Sequence, residues 1–290
     1  MNDRKVHQKI SNLIEEHGNE DKEELRQYLE RITYKDDLTG LWNRRYIDEI
    51  LPTELAMSFR REKPVSFVFL DLVALDEINN NQGRDKGDEA LKTVAVSLIG
   101  GKLKGEILKN WIRKTDVVGR YGEKADEFGI ILRDTGSYGS WKAADGAKKI
   151  IEGYDLSVSG GVASSEIVGV PLLYGMRGRE IIKGFSDNDG SLEKTKNDII
   201  TYLTLLKREG KRVFTREQMK NMLTNVYGFL KSEGFKGNLD LDYEEIGPKI
   251  ITKYADMGLQ LAKEKGKKRI YAHGEHGFGS YNGNLWVPLE

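Results

Sequence analysis

Apolar positions along the chain change between helical spacing and short continuous runs, a pattern typical of a mixed α and β protein. Residues 4–33 are polar with a narrow apolar stripe, which predicts a helix or a helix pair. Residues 65–70 are a continuous apolar run and predict a buried strand. Two shorter apolar runs, 116–121 and 128–132, are joined by a polar turn and predict a β-hairpin.

The rest of the chain continues this alternation. Apolar spacing predicts helices over 88–98 and 249–265, and apolar runs predict strands over 156–163 and 269–271. The resulting order is helix, strand, helix, hairpin, strand, helix. This order predicts an α+β fold with one central sheet flanked by helices.

Residues 165–247 differ in character from the sequence on either side. Clusters of glycine and charge are followed by two helical patterns, 192–208 and 216–231, and Thr215 is the expected N-cap of the second. We therefore divide the chain into an N-terminal helical stalk (1–34), a main domain (35–164 plus 248–275), a helical insertion (165–247) and a tail (276–290).

Composition excludes several classes of function. Lys plus Arg (46) equals Asp plus Glu (46), so no overall positive field draws the protein to a nucleic acid polymer or an anionic membrane. The absence of cysteine excludes disulfides, thiolate metal sites and a cysteine nucleophile. No apolar run approaches the roughly 18 residues of a membrane helix, and the N-terminus lacks the apolar stretch of a signal peptide. We expect a cytoplasmic protein.

The most specific stretch of the sequence begins at Asp36 and reads D-D-L-T-G-L-W-N-R-R. Its residue types predict a turn at Gly40, a helix capped by Asn43, and an ion pair from Asp36 to Arg44 or Arg45. The stretch resembles the D-x-L-T-G-L-x-N-R-R opening of GGDEF domains, the diguanylate cyclase family.

Four further matches follow in the order of that family, and together they cover about residues 36–164 and 250–271. This collinear order supports the resemblance more strongly than any single motif. The matches are Asp71 at the end of a predicted strand, Asn79 to Asp88 (similar to N-D-x-x-G-H-x-x-G-D), Arg120 to Phe128 (similar to R-Y-G-G-D-E-F), and Ala255 to Lys267 (similar to A-D-x-A-L-Y-x-A-K-x-x-G-R).

The resemblance implies a palm-like domain with a mostly antiparallel sheet that condenses two GTP molecules to c-di-GMP with Mg²⁺. It implies a homodimer in which each subunit presents one GTP, with the N-terminal helix as the expected dimer element. In-line attack on a phosphate needs carboxylates for metal and cations for phosphate. The implied roles are metal binding for Asp71 and Asp126, catalysis for Asp126 and Glu127, guanine binding for Asn79 and Asp88, and triphosphate binding for Lys263 and Lys267.

A second implied site is the R-x-x-D pattern of Arg113 and Asp116, which stands where the family has an inhibitory site for c-di-GMP. An exposed ion pair is the alternative interpretation of these two residues. Turn and cap roles are the alternatives for Asn79 and Asp88, and ordinary solvated side chains are the alternative for the carboxylates and lysines.

The sequence departs from the family pattern in the signature hairpin. Between Gly122 and Asp126 it carries Glu-Lys-Ala, which adds two residues and removes the Gly-Gly pair. Other departures are Val73 for a second Asp, Leu75 for an aromatic residue, Asp76 for a phosphate-facing Lys, Arg84 for His and Lys267 for Arg. Three functions stay open: a diguanylate cyclase, an inactive module that binds c-di-GMP or a protein, and a related cyclase for another nucleotide.

Overall fold

The computed structural model describes residues 29–103, 105–108, 111–122, 126–170, 215–234, 243–274, 277–282 and 285–289. Residues 1–28 of the predicted stalk and the predicted helix 192–208 lie outside the described residues, while 29–34 are helical. The described helices are α1 (Arg44–Arg61), α2 (Leu75–Gln82), α3 (Arg84–Ile99), α4 (Ser137–Glu152), α5 (Ser165–Val168), α6 (Arg216–Ser232) and α7 (Tyr243–Glu264).

The described strands form one large sheet and one small ribbon. They are β1 (Trp42–Asn43), β2 (Ser66–Leu72), β3 (Gly101–Leu103), β4 (Glu106–Leu108), β5 (Val117–Arg120), β6 (Glu127–Leu132), β7 (Val158–Ser164), β8 (Ile270–Gly274), β9 (Gly277–Asn282) and β10 (Leu285–Pro288). The large sheet has the order β1-β5-β6-β2-β7-β8-β9-β10, and β3 pairs with β4 alone. Its pairs are antiparallel except β1 with β5 and β7 with β8. This confirms the predicted α+β fold with a mostly antiparallel sheet.

The central strand β2 is buried on both faces, which explains why it reads as a continuous apolar run. Alternate side chains along a strand point to opposite faces. Phe67 and Phe69 accordingly join the core beneath α1, α6 and α7, whereas Val68 and Leu70 join the core beneath α3 and α4. By the same alternation, Asp71 belongs to the α1 and α7 face.

Helix α7 approaches the sheet unusually closely at Gly161 in β7. A Cβ atom on this glycine would lie 1.9 Å from the carbonyl oxygen of Ala255 and 2.2 Å from the amide nitrogen of Leu259. Only a residue without a side chain lets the helix backbone pack at this distance. The contact therefore fixes the height of α7 above β2 and β7.

Helix α6 confirms the predicted helix and its cap. Thr215 and Gln218 form a reciprocal capping box at its start. Apolar residues of α6 such as Val226 pack in the same core as α1 and α7, so this part of the predicted insertion is attached to the main body. Helix α7 begins at Tyr243, before the boundary we drew at 248.

The residues 276–290, which we set apart as a tail, contribute two strands to the sheet. Strand β9 pairs with β8, and β10 pairs with β9. Trp286 of β10 packs over Gly274 and Gly279, where a Cβ atom would lie 2.6 and 2.7 Å from its ring. Glycine-rich spacing masked this strand pattern in the sequence, because the glycines make room for one large side chain.

Three local predictions need correction, and two are confirmed. Gly40 has a φ of 70°, as its turn requires, and the Asn43 side chain accepts a hydrogen bond from the amide of Tyr46 at the start of α1. Asp36, however, pairs with Arg120 of β5 at 3.3 Å and not with Arg44 or Arg45. The two arginines are instead committed to the carboxylates one helical turn further along α1.

The remaining two corrections concern the alternative turn and cap roles of Asn79 and Asp88. Asn79 lies inside α2 and is not a turn residue. Helix α3 begins at Arg84, so Asp88 lies in its second turn and is not its N-cap. Gly83, with a φ of 92°, separates the two helices. We placed the helix start too late because the first turn of α3 carries almost no apolar residue.

Candidate active site

Three carboxylates meet where β2 ends and the antiparallel strand β6 begins, at the same edge of the sheet. Asp71 is directly opposite Glu127 in the antiparallel ladder. Asp126 precedes this pair, and its carbonyl oxygen accepts a hydrogen bond from the amide of Leu72 at 3.0 Å. Residues directly opposite each other in such a ladder have neighbouring side chains. The backbone pairing alone therefore brings Asp71 and Glu127 together.

Lys263 reaches these carboxylates from the last turn of α7. Its Nζ lies 2.8 Å from Oδ2 of Asp71 and 3.7 Å from Oε1 of Glu127. Since Asp71 faces α7, the close packing of this helix against Gly161 places Lys263 within reach of Asp71. The structure thus brings together three residues that lie far apart in the sequence.

Burial and mutual repulsion perturb the acids at this edge. Burial raises the pKa of Asp71, against the lowering effect of its hydrogen bond to Lys263. Burial also raises the pKa of Glu127, again opposed by Lys263 and reinforced by Asp71 and Asp126. Burial would lower the pKa of Lys263, but the hydrogen bond to Asp71 and the nearby carboxylates outweigh it and raise that pKa. Such perturbed groups cluster at functional sites.

A cleft of ≈ 640 Å³ opens above this edge. It is bounded by the end of β2, the start of α2, the hairpin of β5 and β6, and the end of α7. Its charged lining comprises five acids and three bases: Asp71, Asp76, Glu77, Asp126 and Glu127 against Arg44, Lys263 and Lys267. The volume is in the range of small-molecule sites.

Arg44 and Tyr121 line the cleft, and no sequence pattern pointed to either as a site residue. The Tyr121 hydroxyl donates to Oδ1 of Asp48 at 2.6 Å, and Nε of Arg44 donates to Oδ2 of the same carboxylate at 3.4 Å. The Arg44 guanidinium also lies 5.1 Å from the centre of the Tyr121 ring. Arg44 directly follows β1, and Tyr121 directly follows β5. The two residues are neighbours in the cleft because β1 pairs with β5, and the motifs that contain them do not predict this pairing.

The donor chemistry of the cleft fits a magnesium ion. Mg²⁺ is normally held by one or two carboxylates together with water and substrate phosphates. Asp71 and Asp126 supply such carboxylates at adjacent strand ends. Within the part of the chain that the structure describes, no group of three or more Asp, Glu, His or Cys residues is arranged to hold a metal alone.

The predicted guanine-binding residues lie beside the cleft and do not line it. Asn79 is four residues after Leu75, which lines the cleft, and this distance is about 6 Å along α2. Its side-chain oxygen lies 1.9 Å from the position a Cβ on Gly87 of α3 would occupy. Asp88, the residue after Gly87 in α3, is exposed. The two predicted residues thus flank the contact between these helices.

Lys267, the second predicted triphosphate ligand, lies just after the end of α7 and lines the cleft. Its φ is 63°, and its amide donates to the carbonyl of Ala262 at 2.8 Å. This hydrogen bond closes the helix end and turns the chain toward β8. Lys263 and Lys267 therefore lie along one side of the cleft.

Arg113 and Asp116 occupy a turn before β5, away from the cleft. Asp116 Oδ2 accepts from the amide of Arg113 at 3.2 Å, and Oδ1 accepts from the amide of Arg133 at 3.0 Å. The two residues are therefore linked through the main chain and not through the surface ion pair of the alternative interpretation. Burial raises the pKa of Asp116 despite these hydrogen bonds. Arg113 is exposed.

The signature hairpin keeps one essential glycine. A Cβ on Gly122 would lie 2.8 Å from the Cβ of Glu127. Residues 123–125, which include the two added positions, lie outside the described part of the chain. At the base of the hairpin, Asp36 holds Arg120 and also accepts hydrogen bonds from the amide and hydroxyl of Thr39. The opening motif therefore anchors the hairpin that carries Asp126 and Glu127.

The sequence profile described as diguanylate cyclase, GGDEF domain, matches residues 33–198, more than half of the chain. The chain therefore belongs to the GGDEF family. It is 30% identical over 142 residues to the diguanylate cyclase DosC of Escherichia coli K12, a match that covers 48% of this chain and 28% of that protein. It is 29% identical over 130 residues to the response regulator PleD of Caulobacter vibrioides, covering 45% and 26%.

Solved GGDEF structures also resemble the chain. The coiled coil and GGDEF domain of DgcB from Caulobacter crescentus in complex with c-di-GMP aligns with a TM-score of 0.49 at 15% identity, covering 93% of this chain and 98% of that one. The GGDEF domain of PA1120 from Pseudomonas aeruginosa aligns with a TM-score of 0.39 at 25% identity, covering 45% and 75%. The chain spans less than a third of the length of the curated relatives named above. Among the described helices, none combines the length and apolar character needed to cross a membrane.

Proposed function

We propose that this chain is a diguanylate cyclase that condenses two GTP molecules to c-di-GMP and two pyrophosphates. The observation that supports the proposal is one cleft in which Asp71, Asp126 and Glu127 face Lys263 and Lys267. Carboxylates for a divalent metal and cations for a polyphosphate are the groups that phosphoryl transfer requires. GTP and Mg²⁺ are cytoplasmic solutes, so the proposed reaction belongs in that compartment.

In the proposed reaction, the 3′-hydroxyl of one GTP attacks the α-phosphate of another in line, and pyrophosphate leaves. Mg²⁺ bound by Asp71 and Asp126 would offset the negative charge on the phosphate oxygens. Glu127 accepts the proton of the attacking hydroxyl, a role suited to a carboxylate whose pKa burial raises. Lys263 and Lys267 bind the triphosphate and position its α-phosphate.

The nucleotide base extends from the cleft along α2 in this proposal. Asn79 and Asp88 then present an amide and a carboxylate to the edge of guanine, which offers both donors and acceptors. Each subunit binds one GTP, and the two ester bonds form between two facing clefts. The proposal therefore requires a homodimer.

Acids outnumber bases in the lining of the cleft, and Asp76 stands where the family pattern has a lysine. A triphosphate entering this cleft without a metal would meet net repulsion. We therefore expect nucleotide binding to depend strongly on a divalent ion.

The test is product formation by the purified chain with GTP and Mg²⁺, measured by chromatography and mass spectrometry. We expect c-di-GMP from the wild-type protein and at least a roughly hundredfold loss in Asp126→Asn, since oriented charge stabilisation contributes on this order. Asp134→Asn is the matched control, because Asp134 lies two residues beyond the other end of β6 and pairs with Lys63. No product from a dimeric sample at high concentration would contradict the proposal.

A second candidate function is binding of c-di-GMP through Arg113 and Asp116. The observation that favours it is an exposed arginine beside a turn that the Asp116 carboxylate holds in place. Calorimetry with c-di-GMP should then show binding that Arg113→Ala removes and Lys114→Ala keeps. Binding without any turnover of GTP would make the chain a receptor, and no binding would exclude this site.

A further inference from the structure

Lys263 lies between two carboxylates of the cleft, and one of them, Asp71, is a proposed metal ligand. Its Nζ is 2.8 Å from Asp71 and 3.7 Å from Glu127, and the three side chains are 29%, 10% and 28% exposed, respectively. An ammonium and a carboxylate at this distance form a charge-assisted hydrogen bond. In the described part of the chain, the cation paired with these two acids is therefore the protein's own lysine.

The same carboxylate cannot serve Lys263 and a divalent ion equally well. Mg²⁺ binds carboxylate oxygens at about 2.0–2.1 Å, closer than the ammonium does, and two neighbouring cations repel each other. A metal on Oδ2 of Asp71 therefore requires Lys263 to move. The lysine has a flexible four-carbon stem on the last turn of α7, next to Lys267 and the open cleft, so it has a place to go.

We infer that Lys263 is the counter-ion of Asp71 and competes with divalent metal for this carboxylate. When a polyphosphate enters the cleft, Lys263 moves from Asp71 to the phosphates. This inference rests on the proposed function for the identity of the polyphosphate. The phosphates give Lys263 a new anionic partner and add oxygen ligands for the metal. Metal and nucleotide then bind cooperatively, and the empty cleft holds divalent metal only weakly.

The expected coupling has a required symmetry. If a nucleotide raises the affinity for metal by some factor, the metal raises the affinity for nucleotide by the same factor. Removing the ammonium should weaken this coupling, because the carboxylates can then bind metal before any nucleotide is present. A variant without the ammonium should therefore bind metal more tightly in the absence of nucleotide, although it has lost affinity for nucleotide. A simple loss of structure would not produce this combination.

The test measures Mn²⁺ binding by the electron paramagnetic resonance signal of the free ion, in the absence of nucleotide. We expect Lys263→Met to bind Mn²⁺ about tenfold more tightly than the wild type, since one charge-assisted hydrogen bond is worth roughly that factor. Lys263→Arg keeps the cation and should stay near the wild type. Lys267→Met is the local control, because it removes a charge from the same cleft without an ion pair to Asp71, and it should change the affinity less.

Repeating the titration with α,β-methylene-GTP should raise the Mn²⁺ affinity of the wild type far more than that of Lys263→Met. Thermal unfolding establishes that each variant is folded. Equal Mn²⁺ affinity in wild type and Lys263→Met, or an equal gain in Lys267→Met, would overturn the inference even if c-di-GMP is formed. A gain confined to Lys263→Met upholds the competition even if no cyclase activity is found, so the two proposals fail separately.

Discussion

Substituting Gly161 by alanine tests whether the seat of α7 on the sheet determines both stability and the position of Lys263. The added Cβ would lie 1.9 Å from the Ala255 carbonyl oxygen, and ordinary contact begins at 3.4 Å. The difference of about 1.5 Å must come from movement of α7 or β7. The opposing atoms belong to the helix backbone and cannot rotate away as a side chain would.

Overpacking of a core costs about 1–3 kcal/mol, occasionally more, and a clash with two backbone atoms belongs at the upper end. We therefore expect Gly161→Ala to lower the free energy of unfolding by about 3 kcal/mol, or roughly 1 M in the urea midpoint. A displacement of about 1 Å at a catalytic group can cost around a hundredfold in rate. The same variant should lose more of the proposed cyclase activity than its unfolded fraction accounts for.

Equilibrium unfolding in urea, followed by circular dichroism, measures the first effect. Gly228→Ala in α6 is the matched control, since the nearest atom to its added Cβ is the Tyr254 hydroxyl oxygen at 3.8 Å. This substitution should leave stability unchanged or raise it by up to about 1 kcal/mol, because alanine favours a helix interior. A Gly161→Ala protein within about 0.5 kcal/mol of the wild type, a change typical of surface substitutions, would refute the reasoning.

Three further predictions concern single side chains. Arg120→Ala should lower the free energy of unfolding by about 1–3 kcal/mol, because it leaves the half-buried Asp36 carboxylate without its ion pair; an unchanged urea midpoint would contradict this. Burial lowers the pKa of His273 to about 4, so its contribution to stability is present above pH 6.5 and is lost as the pH falls toward 4. His273→Phe should remove about 3 kcal/mol of this pH dependence, and equal acid sensitivity in both proteins would argue against it. Burial raises the pKa of Glu127 above 4.5, so stability falls as the pH rises through that raised value, and unfolding midpoints of Glu127→Gln should lack this decline.

Local sequence patterns predicted most of the elements but not the contacts between them. The apolar run of β2, the turn at Gly40 and the caps at Asn43 and Thr215 each depend on a few adjacent residues, and all are observed. The partner of Asp36 was predicted wrongly because a carboxylate can pair with any arginine that the fold brings near. Arg120 is near only because β1 lies beside β5, and no local spacing encodes that pairing.

Glycines gave the least information in the sequence and carry some of the closest contacts in the structure. Gly161 allows α7 to reach the sheet, and Gly274 and Gly279 make room for Trp286. A glycine in a strand predicts a bulge or a close approach, but not the identity of the approaching group. The site inherits this limit, because the distance from Lys263 to Asp71 depends on the seat at Gly161 and not on either motif.

The altered hairpin illustrates which departures from a family pattern bear on the site. The added residues lie between Gly122 and Asp126, beyond the last backbone pair of β5 with β6. The ladder that sets Asp71 opposite Glu127 runs along β2 and β6 and ends before the turn, and the Leu72 amide still bonds the Asp126 carbonyl. Extra residues at this point of the sequence therefore leave in place the carboxylates that β2 and β6 position. If turnover is slow, restoring the family length at residues 123–125 should raise it, whereas the metal affinity of Lys263→Met, which depends on carboxylates held by the pairing of β2 with β6 and by the Leu72 amide, should not change.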